Sequence, residues 1–251
     1  MKVQVLVATM HQKDHSLLEK MNIQSDAIVG NQCDINKVED FEYNGHKIKY
    51  LNFAERGISL NRNNALLRCD GDICLLADDD MVYDDNYVET VISAFKKYPQ
   101  ADVLIFNIRE PVSTRCIIKK PTNVNYFNYL RYGSVRIAFK TSSIKENSIF
   151  FNVCFGSGTD RGFGEDNLFL TSCLDKKLKI IALPISFARL TEERESTWFK
   201  GYDETYLKNK GKLFRSINRR WSWFLCLQDA VRHCKSYKIS WIKAYKLMIE
   251  E

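Results

Sequence analysis

Breakers of regular structure are scarce in this 251-residue chain, which has only four prolines, while 45% of its residues are hydrophobic. That balance excludes a disordered or proline-rich polypeptide and predicts a compact globule. No low-complexity tract and no internal repeat is present. Long apolar runs are also missing, none reaching the ~18 residues that a membrane-spanning helix needs. The opening Met1-Lys2-Val3-Gln4-Val5-Leu6-Val7-Ala8-Thr9 is too short and too soon polar for a signal peptide, so the reading places the protein in the cytosol. The eight cysteines (33, 69, 74, 116, 154, 173, 226, 234) form no close CxxC pair, and in a reducing compartment they read as free thiols. Histidine is scarce as well, and His11, His15, His46 and His233 have no ligand spacing, so none is assigned to metal or catalysis.

The net charge of +6 is concentrated at one end. From Lys208 onward, eleven Lys/Arg stand against three Asp/Glu, which gives that segment +8 and leaves −2 for the rest.

Alternation of apolar runs with helical patterns predicts an α/β fold. Strands are expected at 3–7, at Ala27-Ile28-Val29, at 47–51 after the Asn44-Gly45 turn, at a run ending at Ala77, and at 103–106, 135–139 and 180–182. Helical patterns fall between them, around Leu17, Leu18 and Met21, at about 59–68, 85–98 and 165–177. Asp84 and Asp85 are expected to cap the third of these. Strands and helices alternating at this spacing imply a mostly parallel sheet with right-handed crossovers. From Asp203 the pattern becomes helical, with aromatic and basic residues interleaved, which suggests a division into a domain at 1–202 and an extension at 203–251.

Asp78-Asp79-Asp80 follow the apolar run Ile73-Cys74-Leu75-Leu76-Ala77. Adjacent carboxylates at a strand end form either a turn or helix cap, or a site for a hard divalent cation, and α/β sheets place ligands at that edge. A second acidic pair, Glu165-Asp166, opens a predicted helix after a loop containing Gly156, Gly158, Gly162 and Gly164. It reads as a general-base candidate or as a helix-capping pair. Arg62 lies in the first turns of the helix that follows Gly57, where a guanidinium could meet an anion. Together the three supply the parts for detaching a diphosphate and activating a hydroxyl.

In order and combination, Gly57-Ile58-Ser59-Leu60-Asn61-Arg62-Asn63, Leu75-Leu76-Ala77-Asp78-Asp79-Asp80 and Gly164-Glu165-Asp166 resemble the family 2 glycosyltransferases of the GT-A fold, over about residues 1–185. The resemblance is to inverting enzymes of the bacterial polysaccharide-synthesis type. It implies a Rossmann-like sheet and a nucleotide-diphosphate sugar donor, with UDP-sugar expected. The activity implied is of the hexosyltransferase type in surface polysaccharide biosynthesis, on a saccharide or lipid-linked saccharide. Asp78-Asp79-Asp80 would be the family's DxD motif, with Asp78 near the ribose, Asp80 on a Mn²⁺ or Mg²⁺ ion, and Asp79 on the donor side. Thr9 would lie beneath the nucleoside, Asp34 would read the base, and Arg62 would lie against the nucleotide or its diphosphate. Asp166 would be the catalytic base, with Glu165 beside it orienting the acceptor. The chain departs from the family's usual turns at Ala8-Thr9-Met10-His11 and at Gly30-Asn31-Gln32-Cys33-Asp34.

Trp198, between the last strand and the extension, is a candidate for stacking on the acceptor sugar, or else a plug at the joint. The extension sets Trp221, Trp223, Phe224 and Trp241 among arginines and lysines. Such segments lie on anionic membranes, here the inner face of the plasma membrane, or pack as ordinary helices with solvated charges. Two other functions compete. A sugar-phosphate nucleotidyltransferase would want a glycine-rich loop where Met10-His11-Gln12-Lys13-Asp14 stands, and a non-catalytic adaptor using the basic tail would leave both acidic clusters without a role. No nucleic-acid partner is expected.

Overall fold

The computed structural model describes residues 1–110, 116–191 and 201–250. In chain order the first half contains β1 (Val3–Met10), a single turn α1 (Leu17–Lys20), β2 (Asp26–Gln32), β3 (Lys37–Tyr43), β4 (His46–Phe53), α2 (Ile58–Arg68), β5 (Ile73–Asp78), β6 (Met81–Tyr83) and α3 (Tyr87–Lys97). Then come β7 (Val103–Arg109), β8 (Thr122–Val124), β9 (Ile137–Lys140), α4 (Thr141–Glu146), α5 (Glu165–Asp175) and β10 (Ile180–Leu190). Three helices finish the chain: α6 (Glu204–Ile217), α7 (Ser222–Tyr237) and α8 (Trp241–Ile249).

The strands form one sheet in the order β3-β4-β2-β1-β5-β9-β7-β10-β6, with β8 added to β10. β4, β2, β1 and β5 run parallel, while β9 is reversed between β5 and β7. Because successive residues of a strand face opposite sides, the valine-rich central strands feed two cores. Val5, Val7, Val29 and Leu75 pack with Leu17, Leu18, Val91 and Phe95 on one face. Leu6, Ile28, Cys74 and Leu76 pack with Ala65, Leu66, Phe169 and Leu170 on the other. With both faces covered, the parallel strands leave the strand ends as the place for polar side chains.

The structure differs from expectation in several elements, among them the short β6, β8 and α4, which the patterning does not announce. β3 is not among the expected strands, since Lys37, Glu39, Asp40 and Glu42 charge it, yet it pairs antiparallel with β4 through the Asn44-Gly45 turn; charge suits an edge strand. β10 runs through Pro184 to Leu190, because the register shifts between Ala182 and Ser186, and a missing N–H is tolerated at such an irregularity. Its far end pairs antiparallel with β6, and Thr191 N–H donates to the Asp80 carbonyl at 2.8 Å, pinning the segment just after the aspartate triplet. The expected capping of α3 by Asp84 and Asp85 is not seen: Asp84 is ion-paired with Arg109 and Asp85 accepts a bond from Asn22 Nδ2.

The terminal helices share a small core of Leu207, Phe214, Cys226, Ala230, Tyr237, Ala244 and Met248. α6 and α8 approach so closely that a Cβ on Gly211 would lie 1.8 Å from the Met248 carbonyl oxygen. α6 rests on the rest of the protein through Leu213, which packs with Phe155 and Leu168, and through Asn209 Nδ2 donating to the Asp160 carbonyl at 2.9 Å. Among the described residues no helix is long and apolar enough to cross a membrane.

Candidate active site

The C-terminal ends of β1, β2, β4 and β5 meet along one edge, where Thr9 lies opposite Asn31, Asn31 opposite Asn52, and Ala8 opposite Asp78. Buried polar side chains at strand ends need partners, and here they find one another. Thr9 Oγ1 donates to Asp79 Oδ2 at 2.5 Å and accepts from Gln12 Nε2 at 2.9 Å. Asn31 accepts from the Gln12 amide and donates to the Gln12 carbonyl, each at 3.0 Å, and reaches Asn52 Oδ1 at 2.7 Å. Asn52 in turn donates to Glu39 Oε1 at 3.0 Å. The result is a wired polar floor that fixes Asp79. Gly30 allows α2 to close onto this floor, since a Cβ there would sit 2.5 Å from Asn61 Oδ1.

Beside the floor lies Arg62, in the second turn of α2 and only 2% exposed. Its Nη2 donates to Asp78 Oδ1 at 2.6 Å and Ser134 Oγ at 2.9 Å, and its Nη1 to Glu165 Oε1 at 2.9 Å. Its carbon centre is 5.6 Å from the Phe151 ring centroid. Burial opposes a charge here, but the Asp78 and Glu165 carboxylates outweigh it and hold the guanidinium above its ordinary pKa. One buried arginine thus joins the end of β5, the start of α5 and the turn leading into β9. Arg62 was expected against the nucleotide or diphosphate; in this arrangement its fork is occupied by carboxylates beneath the surface.

Asp166 stands next to Glu165 in the first turn of α5, which opens at Gly164 with φ of 99°. Only glycine adopts that conformation without strain, and a Cβ there would also meet Leu213 Cδ1 at 2.8 Å. The Asp166 carboxyl is pushed up to about 7, first by burial and then by the Glu165 charge; the Asn167 amide, 2.7 Å from Oδ1, and Arg62 pull it back only in part. A carboxyl poised near neutrality can take up a proton and give it back.

Asp34 lies farther out, after β2 on the same edge, with an exposed side chain paired to Arg56 at 2.6 Å. Trp198 lies outside the described residues. The aspartate triplet does not converge: Asp78 turns to Arg62 and Asp79 to Thr9. Among the described residues no three His, Cys, Asp or Glu side chains come together as a metal cage. Metal held here would therefore take fewer than three protein carboxylates and complete its shell with ligand oxygens and water, a mode suited to Mg²⁺ and Mn²⁺. Sequence reasoning missed Gln12, Asn31, Asn52 and Ser134; asparagines ending apolar strands are the signal that could have found Asn31 and Asn52.

An open mixed sheet with a parallel centre, β9 reversed within it and antiparallel strands at its edges, together with an acidic edge and a polar floor, is the GT-A architecture of nucleotide-sugar transferases. Residues 35–166 match the family described as "Glycosyl transferase family 2", and the chain belongs to that family. It is a glycosyltransferase, which sets aside the nucleotidyltransferase and the non-catalytic adaptor. No curated protein matches the chain. Among solved structures it is similar to S. aureus TarS 1-349 in complex with UDP-GlcNAc, at TM-score 0.67 and 16% identity, covering 100% of this chain and 76% of that one. The same TarS fragment in complex with UDP gives TM-score 0.64 and 17% identity over the same shares. S. aureus TarS gives TM-score 0.61 and 13% identity over 99% of this chain and 55% of that one. At such identities the likeness is one of fold.

Proposed function

We propose that the protein moves a sugar, with inversion at the anomeric carbon, from a UDP-sugar to a hydroxyl of a saccharide or lipid-linked saccharide in surface polysaccharide biosynthesis. The observation that carries this reading is the Arg62 bridge, which brings Glu165 beside Asp78 from a distant part of the sequence and so sets the Asp166 carboxyl, poised at about 7, next to the acidic strand edge. The uridine donor is supported by the TarS complexes with UDP and UDP-GlcNAc.

In this reading the Thr9 and Asp79 floor and Asp78 receive the nucleoside side of the donor, and Asp34 reads the base at the rim. Asp80, pinned through its carbonyl to Thr191, is the residue that would hold Mn²⁺ or Mg²⁺. When bound, that ion supplies positive charge against the departing diphosphate. Arg62 positions Asp78 and Glu165 rather than touching phosphate. Asp166 accepts the acceptor hydroxyl's proton as that oxygen attacks, and Glu165 orients the acceptor and keeps the Asp166 carboxyl basic. Trp198 retains its place as a candidate acceptor contact. Residues 1–202 form the transferase domain and 203–251 a helical extension.

The test is Asp166→Asn. Transfer should fall by roughly 10²–10⁴-fold while donor affinity stays close to wild type. Undiminished turnover would remove Asp166 from the role and the reading with it.

A further inference from the structure

The terminal helices bury one face and leave another that no residue of the glycosyl-transfer scheme uses. At the start of α7, Trp221 is 59% exposed, Trp223 52% and Phe224 46%, and the three rings touch edge to face. Asn218 Oδ1 accepts the Arg220 and Trp221 amides at 3.0 and 3.1 Å, so the turn that presents them is fixed. One and two turns further along α7 the exposed Val231 continues the apolar strip from Trp223 through Leu227. Apolar surface of this kind, rimmed by charge, marks an interaction site rather than ordinary exposure.

The charge around it is of one sign. Between Arg219 and Ile249 the sole acidic residue is Asp229, and it is buried, accepting from the Tyr237 hydroxyl and lying 3.3 Å from His233 Nδ1 and 3.7 Å from Lys210 Nζ. Its charge is therefore consumed inside the bundle. Among the described residues Arg219, Arg220, Arg232, Lys235 and Lys238 have no carboxylate within ion-pair distance. An identical copy laid symmetrically on this surface would set these cations against themselves. A nucleic acid would use the cations and stacked rings but give no partner to Val231 and Leu227.

We propose that this face of α7 docks on an anionic lipid surface. Indole and phenyl rings enter the headgroup boundary, where an amphipathic ring is favoured, and the flanking arginines reach lipid phosphates while their stems cover apolar surface. The helices lie on the bilayer and do not cross it. Through Leu213 the same bundle rests on Gly164, so this hold also fixes how far Asp166 stands from the membrane, which suits an acceptor carried on lipid. Docking itself does not depend on the glycosyl-transfer reading.

The experiment is flotation of the full chain with vesicles of phosphatidylcholine alone and of phosphatidylcholine mixed with phosphatidylglycerol. Wild type should float with the mixed vesicles, less so in high salt, and its tryptophan emission should shift to the blue. Trp221→Ser with Trp223→Ser and Phe224→Ser should lower the bound-to-free ratio by roughly tenfold or more. Arg219→Gln with Arg220→Gln should lower it by roughly fivefold per residue. All these side chains are exposed, so melting should be unchanged, and Asp166→Asn should float like wild type whatever it does to transfer. Wild type remaining at the bottom with mixed vesicles, or both sets of variants floating undiminished, overturns the proposal. So does light scattering showing a dimer that the triple-serine variant abolishes, or flotation lost to a competing single-stranded oligonucleotide at equal charge.

Discussion

Replacing Arg62 by Met should destabilise the protein, because the arginine's main partners are carboxylates that cannot follow it out of the fold. Arg62 is 2% exposed and bonds Asp78 at 2.6 Å, Glu165 at 2.9 Å and Ser134 at 2.9 Å. Removing one member of a buried ion pair typically costs about 3–5 kcal/mol, since a charge is left buried and uncompensated. Asp78 is about a third exposed and can recover water, whereas Glu165 cannot, so the lower end, ~3 kcal/mol, applies. For a chain of this size that is a fall in Tm of roughly 6–12 °C. Thermal melts of wild type, Arg62→Met and Arg62→Met with Glu165→Gln at neutral pH provide the assay, with the second change recovering part of the loss. An Arg62→Met protein melting within about 2 °C of wild type at neutral pH would refute the claim that this bridge organises the site.

Further outcomes follow from the same geometry. With the Asp166 carboxyl at about 7, kcat/KM for transfer should climb with pH through that value and then level, because the base acts as carboxylate; a profile flat from mild acid to mild alkali contradicts this. The same carboxyl should make wild type lose stability as pH rises from the ordinary 3.8 toward about 7, a loss absent in Asp166→Asn, and melts of the two proteins measure it. Gly164→Ala combines a φ of 99° with a 2.8 Å approach to Leu213, so it should cost roughly 1–3 kcal/mol and loosen α6; an unchanged Tm would show that the backbone there relaxes freely.

What was legible in the sequence was what apolar patterning controls. The valine-rich β1, the run of β5 and the amphipathic α3 announce themselves because both sheet faces need covering. β3 escaped because an edge strand can carry charge on most of its positions, and the second half of β10 because Pro184 reads as a stop where the structure has only a register shift. At the site, Asp78, Glu165 and Asp166 stood out as acids at element boundaries. The burial of Arg62 did not, since an arginine between Asn61 and Asn63 looks like helix surface until α5 and the turn before β9 are folded against it. Likewise, the row Thr9, Asn31 and Asn52 exists only through strand register, which no single segment encodes.

Binding of nucleoside diphosphates followed by thermal shift, with and without Mn²⁺, in wild type and Asp80→Asn, tests the central claim most directly. The account predicts that UDP with Mn²⁺ raises Tm, that UDP or Mn²⁺ alone does so weakly or not at all, and that Asp80→Asn abolishes the joint effect while melting normally by itself. Equal stabilisation of wild type and Asp80→Asn by UDP, indifferent to Mn²⁺, would contradict it.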